Sequence, residues 1–236
     1  MNGVGQKLYL ISNLLLILFG LLLRLGINES IGDNITATGI VGIIMYWALD
    51  VTAKREKRAK ELLKEASKCG IAHFYNIRLI PEIYKQREDS ASGSFDIMGF
   101  GLRTFIEDNI DRFGELSKKF AIRILVLDPD SPNCSQRDYE ENDPYGKIKD
   151  DVLFVTKKVQ SLSNPKVHIR WYKAIPVTNV LRIGDTMFIG PYFVRTRSRN
   201  SITMEVRAGG SLFNCYLNHF NSVWDDHNLS RDPPVL

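Results

Sequence analysis

The sequence predicts an α-helical transmembrane hairpin followed by an α/β domain, a mixed sheet flanked by helices. Three observations carry this. Two uncharged apolar runs stand close together near the N-terminus. A strongly basic, helix-patterned stretch follows them at once. The remainder alternates short apolar runs of strand length with longer segments of helical spacing.

The first apolar run is "LYLISNLLLILFGLLL" at 8–23, and the second is "ITATGIVGIIMYWAL" at 35–49. Each falls a little short of the roughly 20 residues that cross a bilayer, but flanking residues extend both. A signal peptide is the other reading of the first run. It has only Lys7 ahead of it, and no small-x-small cleavage site follows cleanly. Two buried core helices fit less well, because the first run is apolar all round. Residues 1–52 are therefore expected to form the hairpin, joined by the short polar segment "RLGINESIGDN". Within it, Asn13 needs a hydrogen-bond partner in lipid, and Gly39 and Gly42, beside Ala37 and Thr38, allow close helix contact. These residues are candidates for association, inside one hairpin or between copies.

The stretch "AKREKRAKELLKEASK" carries seven basic and three acidic residues, a net charge of +4 that equals that of the whole chain. Basic residues stay on the cytoplasmic side. Both termini are therefore expected inside the cell, with the basic run near anionic headgroups. Pairs such as Lys57 with Glu61 suit a solvated helix. Residues 53–93 are read as this juxtamembrane helix and a linker. "GIAHFYNIRLIPEIYKQR" within them reads either as strand plus turn or as a short helix, and "EDSASGS" as loop.

The α/β domain is expected over 94–236. "FDIMGF", "AIRILVLDPDSP", "KVHIRWYK" and "NSITMEVRAG" read as strands, and "TNVLRIGDTMFIGPYF" as a hairpin turning at Gly184 and Asp185. "LRTFIEDNIDRFGELSKKF" reads as one helix. "DPYGKIKDDVLFVTKKVQSLS" reads as another, with Asp143 as N-cap and Pro144 at the first position. "GSLFNCYLNHFNSVWDDHN" reads as a closing helix. Cys69, Cys134 and Cys215 form no CxxC, so reduced thiols are expected, with no zinc site and no cofactor.

Several side chains are candidates for ligand binding. Asp128, Asp130 and Ser131 end a strand, where open α/β sheets bind ligands, although Asp and Pro also simply form turns. Arg182 and Asp185 flank the hairpin turn and are placed to pair. Arg195, Arg197 and Arg199 alternate in "VRTRSRN", so in a strand they line one face and can grip phosphates. His219 lies on the closing helix, facing the domain. The two glycines of "GFGL" can bring backbone N–H groups to an anion.

From "GSFDIMGFGL" through "RILVLDPDSP" to "LRIGDTMFIGPYF" and "YLNHFNSVW", the chain resembles phospholipase D-like domains of bacterial effector and conflict-system proteins. The resemblance covers roughly 94–227. It implies an HxK pair followed by Asp, supplied twice, with His as the nucleophile on phosphorus. None of His73, His168, His219 and His227 has Lys two residues later, and "PVTN" stands where the resemblance places His and Lys. With the hairpin, the chain is similar to two-transmembrane effectors of bacterial antiphage defence, of the kind encoded beside retron reverse transcriptases. This resemblance implies a toxic effector of the bacterial inner membrane without enzymatic activity. Its partners are then the lipid bilayer, further copies of itself, and a regulator such as a reverse transcriptase–nucleic acid complex or a nucleotide signal. The alternatives are a membrane-tethered phosphodiesterase or nucleosidase using Asp128, Asp130, His219 and the arginine row, or a non-toxic scaffold.

Overall fold

The computed structural model of the chain describes residues 3–78 and 80–236. It divides into two compact units, Met1–Lys64 and Glu65–Leu236.

The first unit is helical. Helix α1 spans Gly3–Gly26 and α2 spans Glu29–Cys69. Both are long and apolar enough to cross a membrane, with mean hydropathies of 2.2 and 1.5 over their most apolar stretches. Asn28 accepts a hydrogen bond from the Ile31 N–H and so caps α2, while Arg24 pairs with Glu29 and Asp33 across the turn. The two helices meet along small residues. A Cβ at Gly32 would strike the backbone of Gly20 and Arg24, and one at Gly39 would strike Ile17 and the Asn13 carbonyl. Gly42 lies against the Asn13 amide. Asn13 is buried there, and its amide N–H donates to the Tyr9 carbonyl at 2.8 Å, within its own helix. Most large side chains on the other faces, Leu14, Leu18 and Trp47 among them, are exposed.

The second unit is an eight-stranded mixed sheet with helices packed on it. Its strands are β1 (Ile71–Tyr75), β2 (Gly93–Gly99), β3 (Phe120–Leu127), β4 (Val167–Tyr172), β5 (Thr178–Ile183), β6 (Thr186–Pro191), β7 (Thr203–Arg207) and β8 (Ser230–Arg231). The order is β1-β7-β6-β5-β2-β3-β4-β8. Strands β2, β3 and β4 are parallel, and every other pairing is antiparallel. The central strands are nearly continuous apolar runs because helices cover both faces; in β3 Ile122, Ile124 and Leu125 are all fully buried.

The helices are α3 (Pro81–Ser90), α4 (Arg103–Asn109), α5 (Phe113–Lys119), α6 (Pro132–Glu141), α7 (Lys147–Ser161) and α8 (Ser211–Asp225). Several depart from the sequence reading. The stretch 71–93, placed in a linker, supplies the edge strand β1 and helix α3, which takes in the first residues of the expected loop up to Ser90. Buried Glu205 on β7 accepts from Tyr75 at 2.7 Å and from Arg87 at 2.8 Å, which fastens this segment to the sheet. The single helix expected from 102 to 120 is broken by a 3₁₀ turn at Ile110–Arg112. Asn109 leaves the helical conformation, and its side-chain amide donates to the Phe105 carbonyl. Helix α7 begins at Lys147 rather than at Asp143 and Pro144. Its cap comes from the preceding helix, where buried Asp138 accepts from the N–H groups of Gly146 (2.8 Å) and Ile148 (2.9 Å). Helix α6, absent from the sequence reading, starts with Ser131 as N-cap and Pro132 at its first position.

Candidate functional site

A cleft of about 550 Å³ opens above the carboxyl end of β2 in the α/β domain. This is the end at which open α/β sheets usually bind ligands. Its floor is the segment that leaves β2, where Gly101 packs so closely on Asp151 that a side chain would not fit. Its walls come from α3, α4, the start of α7 and the 192–199 segment.

Aromatic rings line part of it. Phe100 and Tyr192 meet edge to face at 4.3 Å between centroids. The guanidinium of Arg137 lies 5.1 Å from each ring. Arg137 is itself buried, and it donates to the carbonyls of Phe193 and Thr196, both at 3.1 Å, and to Glu140 and Glu141. It therefore fixes both rings and the loop that follows Tyr192. Burial pushes the Tyr192 hydroxyl up to about 12, against the opposing charges of Arg78 and Arg137. That hydroxyl is buried and has no hydrogen-bond partner among the described residues.

Charged groups line the rest. Glu88 pairs with Arg112, Asp143 with Arg197 at 3.1 Å, and Asp151 with both Arg103 and Lys147. Arg78 and Arg199 make no ion pair among the described residues, and the Arg78 N–H donates to the Arg199 carbonyl at 3.1 Å.

The residues picked from the sequence divide. Arg197 and Arg199 line the cleft; Arg195 does not. The three do not form one face of a strand. Arg195 takes a left-handed conformation (φ 59°), its N–H bonds to the Glu140 carbonyl, and a 3₁₀ turn follows at Ser198–Asn200. Asp128, Asp130 and Ser131 lie outside the cleft lining. Arg231 occupies both carboxylates, at 2.7 Å from Asp128 and 3.1 Å from Asp130, and Ser131 caps α6. Arg182 does not pair with Asp185. It donates to Asp96 (3.1 Å) and to the Gly184 carbonyl, and Arg123 completes the grip on buried Asp96. The Asp185 carbonyl accepts from Ala208. His219 is partly buried on α8, outside the cleft lining, and its Nε2 has no partner among the described residues.

Thr178 and Asn179, in the "PVTN" segment, are buried and both donate to the Gly190 carbonyl at 2.8 Å, which clamps β5 to β6. Cys134 is buried, and that burial pushes its thiol up to about 11. Among the described residues no cluster of His, Cys, Asp and Glu is arranged to hold a metal ion.

Sequence reasoning missed Arg78, Arg137 and Tyr192. The only signal for Arg137 was an arginine on what proves to be the inner face of a helix, four residues before Glu141. Tyr192 stood in the quoted "FIGPYF" but was read only as a strand end.

No family model matches the sequence, and no curated protein matches it. Among solved structures the chain is similar to TrmBL2, an archaeal chromatin protein whose structure shows a novel mode of DNA binding. The TM-score is 0.44 at 14% identity, over 85% of this chain and 70% of that one. A superposition this loose assigns neither fold nor function.

Proposed function

We propose that the chain is a membrane-anchored toxic effector of bacterial antiphage defence. A partner holds it inactive, and it disrupts the inner membrane when its α/β domain is triggered. The observation that carries this reading is α2. One unbroken helix of 41 residues includes the apolar span, the basic run and the entry to the sheet domain. A change in the domain thus has a continuous covalent and hydrogen-bonded route to the membrane segment. The exposed apolar faces of α1 and α2 support a lipid-facing hairpin that can cluster with further copies. Both termini lie in the cytoplasm in this reading, with the cleft as the receiving site.

The enzymatic alternative is weaker. Asp128 and Asp130 are held by Arg231 away from the cleft, and the residues at the expected HxK position bind backbone. The test is production of the full chain in bacteria loaded with a membrane-potential dye, with and without its genomic neighbours and during phage infection. Depolarisation that the neighbours suppress and infection restores is the expected result. A steady potential under every condition defeats the proposal.

A further inference from the structure

The acids of the cleft are largely spoken for, and two of its cations are not. Glu88, Asp143 and Asp151 each face an arginine or lysine within the cleft, and Glu141 is taken by Arg137 behind it. Arg78 and Arg199 remain, against the single exposed carboxylate of Asp108, which is in no ion pair among the described residues. Although they are far apart in sequence, the backbone hydrogen bond between them sets them side by side. Tyr84 donates to the Arg78 carbonyl and steadies the turn that carries it. The Tyr192 ring completes this part of the lining, while its hydroxyl is buried beside Gly99.

Two guanidiniums offer more donors than the two oxygens of a carboxylate use, and they match a phosphate with three terminal oxygens. Beside them, Phe100, Phe105 and Tyr84 provide apolar and aromatic surface. The volume, about 550 Å³, lies within the range of pockets for small organic molecules.

We propose that this cleft binds a phosphate-bearing small molecule with a planar body, of mononucleotide size. Arg78 and Arg199 hold the phosphate, and the planar body lies along Phe100 and Phe105. This rests on the reading of the α/β domain as a receiver and gives the chemical class of what it receives. No bond is made or broken; the ligand is bound and released.

The test uses the full chain in detergent micelles, titrated calorimetrically with AMP, GMP, adenosine and inorganic phosphate. At least one mononucleotide is expected to bind, with adenosine and phosphate each at least tenfold weaker. Arg78→Gln with Arg199→Gln lowers nucleotide affinity at least tenfold while leaving the melting temperature of the free protein unchanged. Lys57→Gln with Lys60→Gln, in the basic run, leaves that affinity unchanged. The proposal is overturned if neither nucleotide binds, if phosphate binds as tightly as the nucleotides, or if affinity follows the lysines rather than the arginines. Binding without membrane depolarisation in cells sinks the effector reading alone. Depolarisation without nucleotide binding sinks this one alone.

Discussion

Arg231, near the end of the chain, closes a buried carboxylate that the sequence offers as a ligand site. Asp128 has almost no exposed surface, and both its oxygens accept from Arg231, at 2.7 and 2.8 Å. The Asp130 backbone N–H adds a third bond at 3.0 Å. Burial works to raise the Asp128 pKa, but Arg231 and the Asp130 N–H outweigh it and bring the carboxyl below its usual value of 3.8. A carboxylate depressed in the folded state contributes stability that is fully present above its unfolded value and is lost as pH falls through the folded one. The contribution is therefore whole at neutral pH and drains away below about pH 4. Asp128→Asn should lower stability at pH 7 by about 2 kcal/mol, the scale of hydrogen bonds to a charged group. For a domain of this size that is a fall of about 4–8 °C in melting temperature. The penalty should shrink toward pH 2.5, as wild type loses what the variant never had. Thermal unfolding by near-ultraviolet circular dichroism across that range measures it, and a pH-independent gap contradicts the assignment. At this scale the sequence exposed the carboxylates and hid their partner. An Asp-Pro-Asp-Ser-Pro run looks the same whether it holds a ligand or an arginine a hundred residues away.

At the scale of elements, strands were legible and helix boundaries less so. The strands β2 and β3 declare themselves as apolar runs because most of their residues on both faces are buried, and β4 shows itself by alternation, with Val167, Ile169 and Trp171 buried and His168 exposed. Where α7 begins was not legible, because its first N–H groups bond to Asp138 on the neighbouring helix, a contact made only after folding. The edge strand β1 was ambiguous for a similar reason. What holds it is Glu205, a residue buried on a strand 130 positions later. The hairpin is the opposite case, because Gly39, Gly42 and Asn13 were picked from sequence and do meet. At Gly39 a Cβ would lie 2.6 Å from Ile17 and 2.8 Å from the Asn13 carbonyl, so even alanine forces the helices apart. At Gly26 a Cβ meets nothing within 4 Å. Gly39→Ala should therefore cost the hairpin about 1–3 kcal/mol, the usual penalty for overpacking. Gly26→Ala should stay within about 0.5 kcal/mol of wild type. Helical ellipticity followed through thermal unfolding in micelles separates the two, and equal effects rule out a close-packed seam.

For the whole molecule, the charge distribution predicts which side of the bilayer the α/β domain occupies. The seven basic residues at 54–68 follow the second span directly, whereas the segment between the apolar runs, "RLGINESIGDN", carries one basic and two acidic residues. The bias toward retaining lysine and arginine in the cytoplasm acts on just such flanking residues. On that bias the short connection is expected outside and everything after α2 inside. The cleft escaped the sequence reading for a reason at this same scale. Arg78, Tyr84 and Glu88 came from a segment assigned to a linker, and only its return to the sheet edge brings them opposite Arg199 and Tyr192. Cys215 reports the side, being exposed on α8, whereas Cys134 is buried. In a Cys69→Ser background, a membrane-impermeant maleimide should leave intact spheroplasts of a producing strain unlabelled. It should label Cys215 once the membrane is permeabilised, with Cys215→Ser as the blank. Labelling before permeabilisation would put the cleft outside the cell, where a receiver of cytoplasmic signals has nothing to receive, and both the effector reading and its topology would fall together.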